Sequence, residues 1–154
     1  MTESNVIKFW KVNDTYGCFS NFSKHGFDLD GFWWQTSEHY FQANKFTNTD
    51  KVWFDKIRES KTPKDAADMG RDRSHKIHRD WEKVKDEIML QAVLTKFKTH
   101  DDIHKILLST GDNKIIEDSP MDYYWGCGAD GTGRNTLGYI LMEVREILRD
   151  KNKG

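Results

Sequence analysis

The chain has 154 residues, 36% of them hydrophobic and 32% charged, and this length favours one domain spanning residues 1–154. Six Trp, five Tyr and nine Phe supply large apolar side chains, which excludes a disordered chain despite the high charge. The formal net charge of −1 excludes the overall basic surface of a general nucleic-acid-binding protein, while a local basic groove is compatible with a balanced total.

The first third of the chain has the pattern of short strands and turns. Residues 6–12 are apolar or aromatic apart from two lysines, which predicts a strand. Residues 27–32 alternate between apolar and polar positions, and Asp30-Gly31 is typical of a hairpin turn. These patterns predict a small sheet built mainly at the front of the chain.

Three helices are predicted next. The first runs to about Phe46 from an N-cap at Thr36 or Ser37. Residues 50–59 form the second. The segment Thr62-Pro63-Lys64-Asp65 starts the third, because it combines a cap residue, a proline at the first helical position and an acid in the first turn.

Three further helices complete the prediction. Asp80 caps the longest, in which apolar residues recur at helical spacing as far as Phe97. Residues 101–109 form another, and Ile115 and Ile116 suggest a short strand. An apolar stripe at helical spacing predicts the last helix over residues 135–149. The predicted class is therefore α+β: a compact, helix-rich single domain with a small sheet.

The sequence predicts a cytoplasmic protein. The N-terminal segment MTESNVIKFWKV has no secretory signal, and no apolar run approaches the roughly 20 residues that a membrane span needs. Cys18 and Cys127 are therefore expected to be reduced thiols. We expect no membrane partner, and the sequence does not indicate an oligomeric state.

The first candidate site is a charged stripe on the first helix. Glu38, Gln42 and Lys45 share one face, because they stand at i, i+4 and i+7. Phe41 and Phe46 flank this stripe, so a carboxylate and an amine lie inside an aromatic arc. Burial and proximity tune such groups for acid–base or nucleophilic chemistry. The alternative is a structural ion pair or an exposed face.

The second candidate site is a glycine-rich loop that leads directly into the last helix. Glycines let the backbone approach a ligand, and a helix N-terminus attracts an anion such as phosphate. A dinucleotide-binding fold is excluded, because no buried strand precedes the loop and too little chain follows it. The alternative is a connection that binds no ligand. The predicted phosphate-binding residues are Gly126, Gly128, Gly131, Gly133 and Asn135.

Polar and aromatic residues near these two sites form a third set. Trp125 is predicted to stack on a base or sugar. Asp122 is suited to act as an acid, a base or an acceptor for a ribose hydroxyl. Ser20, Asn21 and Phe22 lie in a turn-rich segment that offers hydrogen bonds to a substrate. Taken singly, each also fits a purely structural role.

Two other patterns could indicate a metal site and a cysteine nucleophile, and the sequence favours neither. His75 and His78 have the spacing of a metal pair, but no third ligand stands near them in the sequence, so no metal is predicted. A nucleophilic role for Cys127 would need a neighbouring base, and no histidine is adjacent in the sequence. No cofactor is predicted.

Taken together, these motifs resemble the YbiA-like or NADAR family. The combination of an EHYFQ helix with a WG-x-G-x-x-G-x-G-x-N-x-LG loop is far more specific than either part. The resemblance covers nearly the whole chain. The matching segments are residues 19–22, 31–34, 36–46, 62–67, 70–71, 79–81, 88–89, 96–97, 122, 125–138, 140–142 and 144–145.

The resemblance implies a compact α+β domain that hydrolyses the bond between a ribose C1 and a nitrogen without a metal. It implies two substrate classes: phosphoribosyl intermediates of riboflavin synthesis, and ADP-ribose attached to guanine. The second class is slightly favoured and makes nucleic acid a carrier of the substrate. Glu38, Lys45 and Asp122 are the predicted catalytic residues, and Gln42 and Arg71 join the predicted substrate-binding residues.

Three alternatives remain open at this level. Lys45 attacks C1 to form a Schiff base, or water attacks directly with help from Glu38. A non-catalytic module that binds ADP-ribose or NAD would use the same loop. The basic stretch at residues 71–79 is either a rim for nucleic-acid phosphates or a solvated loop, because acidic residues interrupt it.

Overall fold

The computed structural model describes residues 6–153, so the first five residues of the predicted signal-free N-terminus lie outside the described range. Within that range, none of the helices is both long enough and apolar enough to span a bilayer. The strands are β1 (Val6–Phe9), β2 (Phe27–Leu29), β3 (Phe32–Trp34) and β4 (Lys114–Glu117). The helices are α1 (Ser37–Asn44), α2 (Lys51–Arg58), α3 (Pro63–Gly70), α4 (Trp81–Thr99), α5 (Asp101–Ser109) and α6 (Thr136–Lys153).

The chain divides into two compact units. The central unit comprises Asn21–Lys96. The terminal unit comprises the described residues up to Ser20 together with those from Phe97 onward. A single domain over residues 1–154 stays a prediction.

The central unit begins with the predicted hairpin. Strands β2 and β3 pair antiparallel, with Phe27 opposite Trp34 and Leu29 opposite Phe32. Asp30 and Gly31 both have positive φ, at 56° and 84°. A two-residue hairpin turn of type I′ has this conformation at both positions, which confirms the turn.

The core of the central unit forms between this hairpin and helices α1 to α3. The Trp34 ring meets the rings of Tyr40 and Phe54 edge to face, at 5.1 and 5.6 Å between centroids. Tyr40 donates its hydroxyl to Asp30 Oδ2 at 2.7 Å, which ties α1 to the turn. The fully or almost fully buried apolar residues of this core are Phe27, Trp34, Tyr40, Ala43, Phe46, Phe54, Ile57, Ala66 and Ala92.

The predicted N-caps of the first and third helices are confirmed, and Asp50, predicted as the first residue of the second helix, is its N-cap. Thr36 accepts the His39 N–H at 3.1 Å, and Asp50 accepts the Trp53 N–H at 3.0 Å. Thr62 accepts the Asp65 N–H at 3.0 Å, with Pro63 at the first helical position. Such caps satisfy N–H groups that have no partner within the helix.

The terminal unit is built on a parallel pair of strands, β1 and β4, in which Ile7 lies opposite Ile115. Helix α6 packs on β4 and α5. The first strand was predicted over residues 6–12, but β1 ends at Phe9. Asp14 Oδ2 accepts the N–H groups of Trp10 and Lys11 and so turns the chain there. The last helix runs four residues beyond its predicted end at Arg149.

The α+β class with six helices is confirmed. Among residues 6–153 the strands form two separate two-stranded sheets, one in each unit, and the strands are not confined to the front of the chain. The β1–β4 pair joins segments more than 100 residues apart, and local alternation carries no information about such a partner.

Candidate active site

The polar stripe of α1 is buried in the central unit. Glu38, Gln42 and Lys45 are 9, 5 and 8% exposed. Every residue of α1 from Ser37 to Ala43 is buried, so this helix has no solvated face for its charges. The predicted placement of a carboxylate and an amine in a buried setting is confirmed, and an exposed charged face is excluded.

Asn21 fixes the start of this helix. Its carbonyl accepts the Glu38 N–H at 3.1 Å, and its Oδ1 accepts the Ser37 hydroxyl at 2.8 Å. Its Nδ2 donates to the Met89 sulfur at 3.3 Å. Asn21 was predicted to bind substrate; its side chain instead holds the helix turn that carries Glu38, and substrate contact stays a prediction.

Gln42 sets the orientation of the Glu38 carboxylate. Its Nε2 donates to Glu38 Oε2 at 2.7 Å. Its Oε1 is buried, without a hydrogen-bond partner among residues 6–153. A Cβ at Gly70 would overlap Gln42 Oε1, so α1 and α3 approach closely only because residue 70 is a glycine. A buried acceptor with no partner is rare and marks a site worth a functional explanation.

Lys45 ends α1, and its amine is held in an unusual state. Its carbonyl accepts the His78 N–H at 2.6 Å, and its Nζ lies 5.6 Å from the centre of the Phe41 ring. Burial first, and then the charges of Arg73, Arg71 and Lys85, lower the pKa of Lys45 to about 8, while Glu38 opposes the shift. At pH 7 roughly a tenth of this amine is therefore the free base that a nucleophile requires, far more than for an ordinary lysine.

The charges of three cations lower the pKa of this amine. Arg73 donates Nη1–H to the Gly70 carbonyl at 2.7 Å. Arg71 pairs with Asp68 at 3.2 Å, and Lys85 pairs with Glu82 at 2.6 Å. The Lys85 side chain is only 14% exposed. The predicted Arg71 thus lies in the same electrostatic neighbourhood as Lys45, and Arg73 and Lys85 add to it.

The sequence identified Arg73 only as part of a basic stretch and missed Lys85. A signal for Lys85 exists: it shares a helical stripe with Trp81, Ile88 and Ala92 at intervals of four, three and four residues. A lysine on the apolar stripe of a helix is an exception that draws attention to a site.

The glycine loop lies in the terminal unit, and its backbone is engaged in internal hydrogen bonds. The N–H groups of residues 127–129 and 131–137 all donate to acceptors within that unit. These include the N–H groups at the start of α6, where those of Thr136 and Leu137 donate to the carbonyls of Tyr124 and Trp125 at 3.0 Å. Phosphate binding by these groups would require them to exchange partners, and it stays a prediction.

The glycines of this loop serve its own folding. Gly133 packs against the Gly126 carbonyl, and a Cβ at Gly128 would overlap the Tyr123 ring. Gly131 has a φ of 80° with open space where a Cβ would lie. These close approaches and the positive φ explain the glycines without a ligand.

Asn135 joins the loop to strand β4. Its Nδ2 donates to the Ile115 carbonyl and its Oδ1 accepts the Glu117 N–H, both at 2.9 Å. It is buried and has a φ of 55°. Both ends of this amide are therefore committed to β4, although a substrate contact was predicted for it.

The other predicted site residues divide between the two units. Asp122 Oδ1 accepts the N–H groups of Tyr124 and Trp125 at 2.9 and 2.7 Å, which caps a turn. Trp125 meets the Tyr124 ring edge to face. Ser20, like these two residues, belongs to the terminal unit, whereas Phe22 is an exposed side chain of the central unit. The catalytic role of Asp122 stays a prediction.

His75 and His78, for which no metal was predicted, both have hydrogen-bond partners within the central unit. His75 stacks on the Trp53 ring at 3.8 Å and bonds Asp50 Oδ2 at 2.7 Å. The N–H of Asp80 donates to the His78 ring nitrogen Nδ1 at 3.0 Å. Both histidines shape the segment that follows α3.

The site in the central unit therefore combines a nucleophilic amine, an oriented carboxylate and a group of cations. A carboxyl group can donate or accept a proton at a departing atom, and an amine can attack an electrophilic carbon. The cations favour an anionic ligand through the positive potential that they create; Arg71 and Arg73 are exposed, and the Lys85 side chain is largely buried.

Comparisons with known proteins place the chain in a family. The NADAR domain model matches residues 8–149. An N-glycosidase of Nostoc punctiforme is 49% identical over 146 residues, covering 94% of this chain and 94% of that protein. The chloroplastic riboflavin biosynthesis protein PYRR of Zea mays is 40% identical over 160 residues, covering 95% of this chain and 26% of that protein.

A solved structure extends this similarity to three dimensions. The NMR structure of the Escherichia coli protein YbiA matches with a TM-score of 0.89 at 43% identity, covering 99% of this chain and 89% of that chain. The sequence relative of that name is called an N-glycosidase. The fold implied by the sequence resemblance is thereby confirmed.

Proposed function

Because the chain belongs to the NADAR domain family, we propose that it is an N-glycosidase that cleaves the bond between a ribose C1 and a nitrogen. The observation that carries this proposal is the buried Lys45 amine, whose pKa of about 8 leaves it nucleophilic near neutral pH, on the same helical stripe as Glu38. The N-glycosidase names of the relatives from Nostoc punctiforme and Escherichia coli support the same reaction.

The proposed reaction proceeds through a Schiff base. Glu38 donates and accepts the protons that open the ribose ring and leave an imine between C1 and the departing nitrogen. The Lys45 Nζ attacks C1, and Glu38 supplies a proton to the departing nitrogen. The C1–N bond to the base then breaks, so that the base leaves as a neutral amine and Lys45 keeps the imine to C1. Water then adds to the Lys45–C1 imine, which releases the sugar and restores the free amine.

The substrate we favour on the structure is a ribosylamino-pyrimidine phosphate. The riboflavin biosynthesis name of the Zea mays relative supports this class, although the chain spans only 26% of that protein. The cations Arg71, Arg73 and Lys85 near Lys45 suit a phosphate group. The expected partner is thus a small phosphorylated ribosyl compound, and no metal or cofactor takes part.

A second candidate is the ADP-ribosyl-guanine that the sequence favoured, and a groove in the central unit supports it. The groove has a volume of about 450 Å³, and its lining includes Lys76, His78 and Arg79. It adjoins the catalytic stripe, because the His78 N–H donates to the Lys45 carbonyl. The groove sets the cations Lys76 and Arg79 against one carboxylate, Asp80, and this charge suits a nucleic acid that carries the modified guanine.

Reductive trapping tests the mechanism. Borohydride added during turnover should reduce the imine and leave the sugar covalently attached to Lys45, which mass spectrometry of peptides locates. Lys45→Ala should show no adduct and no turnover, whereas Lys83→Ala, at an exposed position of α4, should behave as the wild type. An active Lys45→Ala without any adduct would exclude the Schiff base and leave direct attack by water.

A side-by-side assay tests the substrate. We expect rapid base release from the ribosylamino-pyrimidine phosphate and slower release from ADP-ribosylated guanine. Faster release from ADP-ribosylated guanine in DNA, with a rate that falls steeply between two salt concentrations, would favour the second candidate and the basic groove. Stoichiometric binding of either compound without base release would show a binding module in place of an enzyme.

A further inference from the structure

We propose that Arg73 and Lys85, assisted by Arg71, form the subsite that holds the phosphate of the substrate beside Lys45. This inference rests on the proposed function and assigns the phosphate to side chains of the central unit instead of the glycine loop. Its ligand class is a phosphomonoester or the nearer phosphate of a pyrophosphate.

The position of Arg73 is fixed by the packing of α1 on α3. Its Nη1–H donates to the Gly70 carbonyl at 2.7 Å, and the Gly70 backbone lies against Gln42 Oε1. Gln42 in turn holds the Glu38 carboxylate at 2.7 Å. These contacts fix the position of the Arg73 guanidinium relative to the polar stripe of α1. One N–H of a planar guanidinium is used, and its other donors can form the paired hydrogen bonds typical of arginine and phosphate.

The charges of this group leave it ready for an anion. The Arg73 hydrogen bond goes to a neutral carbonyl, whereas Arg71 and Lys85 pair with Asp68 and Glu82. Of the charges with the largest effect on the pKa of Lys45, three are positive and Glu38 is negative. A phosphate dianion would therefore offset repulsion that the folded protein otherwise contains.

The rival position for the phosphate has fewer available donors. In the glycine loop, the N–H groups of residues 127–129 and 131–137 already donate within the terminal unit. Arg73 could keep its bond to the Gly70 carbonyl, and Lys85 would exchange its pairing with Glu82, a side chain that is 80% exposed. Lys85 follows Trp81 by one helical turn, and the Trp81 ring lies 5.1 Å from the Phe41 ring that Lys45 Nζ contacts. The cation group is accordingly the stronger phosphate site.

Binding of ribose 5-phosphate and of ribose, each measured by calorimetry, tests the subsite. The two sugars differ in the phosphate and in the ring forms that it permits, so the change of their affinity ratio from one variant to another isolates the phosphate contact. Arg73→Gln should reduce this ratio by about tenfold or more, and Lys85→Gln by several-fold. Lys83→Gln is the matched control: it removes the same charge from an exposed position of α4, about 200° around the helix from Lys85, and should leave the ratio unchanged.

Two further variants make the result decisive. Arg73→Lys should keep the charge but lose the paired hydrogen bonds, and so fall between the wild type and Arg73→Gln. Gly131→Val addresses the loop and should leave the ratio unchanged. An unchanged ratio in Arg73→Gln together with a reduced one in Gly131→Val would overturn the proposal and return the phosphate to the loop.

A pH profile separates a charged subsite from a merely structural effect. The charges that face Lys45 are those of Glu38, Arg71, Arg73 and Lys85, and removal of the Arg73 cation should move the acid limb of kcat/KM to higher pH. The binding measurements do not depend on turnover, so they can fail while the enzyme remains an N-glycosidase. Conversely, an inactive protein with intact Arg73-dependent phosphate binding would contradict the proposed function alone.

Discussion

The α1 stripe and the glycine loop are the two segments in which the sequence places most of its functional residues, and they use their polar groups in opposite ways. In α1, a buried amine has a lowered pKa, and Gln42 Oε1 has no hydrogen-bond partner among residues 6–153. In the loop, nearly every N–H from residue 127 to 137 donates within the terminal unit. Incomplete satisfaction of buried polar groups marks a site better than an abundance of glycine does.

The rest of α1 stabilises this unfavourable arrangement. His39 bonds the Thr36 hydroxyl at 2.7 Å and the Ser60 carbonyl at 3.1 Å, and burial lowers the pKa of this histidine. The ring is therefore a neutral part of the helix anchor, donating from Nε2 to the carbonyl. Together with Asn21, these contacts fix a helix whose charged stripe destabilises it, as is typical of functional sites.

The largest expected effect comes from Lys45→Met. This substitution should lower turnover and raise the stability of the protein, as expected if the buried amine serves function at a cost in stability. Turnover should fall by at least about 10³-fold, because the nucleophile is lost. The free energy of unfolding at pH 7 should rise by about 2 kcal/mol, because the unbranched methionine fills the space without a buried charge. Denaturant titration measures the second effect.

The sign of the pH dependence follows from the lowered pKa. Below about pH 8 the folded protein contains a protonated Lys45, so the full cost of the buried charge is present. Above pH 8 the folded state loses this proton before the unfolded state does, so the wild type gains stability as the pH rises towards the ordinary lysine value. The stability advantage of Lys45→Met should thus shrink between pH 7 and pH 10, and an advantage that is constant with pH would contradict the buried amine.

A pair of carboxyl-to-amide substitutions compares the two regions directly. Glu38→Gln should lower kcat by about 10²- to 10⁴-fold, because proton transfer at the departing nitrogen is lost. Asp122→Asn keeps the Oδ1 that accepts the N–H groups of Tyr124 and Trp125, so its kcat should stay within about tenfold of the wild type. Steady-state kinetics of both variants decide between them, and a loss in Asp122→Asn as large as that in Glu38→Gln would restore its predicted catalytic role.

The two regions also differ in how many of their contacts could be predicted from the sequence. Helix caps at Thr36, Asp50 and Thr62 and the Asp30-Gly31 turn were predictable, because their signals lie within a few residues of one another. The i, i+4, i+7 spacing also identified the α1 stripe. The hydrogen bonds of Asn135 to β4 were not predictable, since its partners belong to a strand some twenty residues away in the sequence.

A smaller effect is expected from Gly70→Ala, which perturbs the stripe without touching its charges. The new Cβ overlaps Gln42 Oε1 and displaces the amide that orients Glu38, so kcat should fall by about tenfold with little change in KM. Overpacking should also cost about 1–3 kcal/mol of stability. Addition of Gln42→Ala should recover the stability but leave kcat low. A recovery of kcat in this double variant would show that Gln42 does not position Glu38.

The smallest expected effect on turnover comes from Asn135, where the loop should respond in stability alone. Asn135→Gly tolerates the φ of 55° but leaves the Glu117 N–H and the Ile115 carbonyl without their partner, at a cost of about 2 kcal/mol. Asn135→Ala adds backbone strain of about 1 kcal/mol. Thermal unfolding should rank the wild type above the glycine variant and that above the alanine variant.

Both Asn135 variants should keep wild-type kcat and the same affinity for ribose 5-phosphate at temperatures where they are folded. The reason is geometric. The Asn135 amide, for which a substrate contact was predicted, already accepts the Glu117 N–H and donates to the Ile115 carbonyl in β4. If Asn135→Gly lost phosphate affinity by about tenfold while its stability changed little, the side chain would contact the ligand. That result would contradict the conclusion that the polar groups of the glycine loop serve its folding and not the ligand.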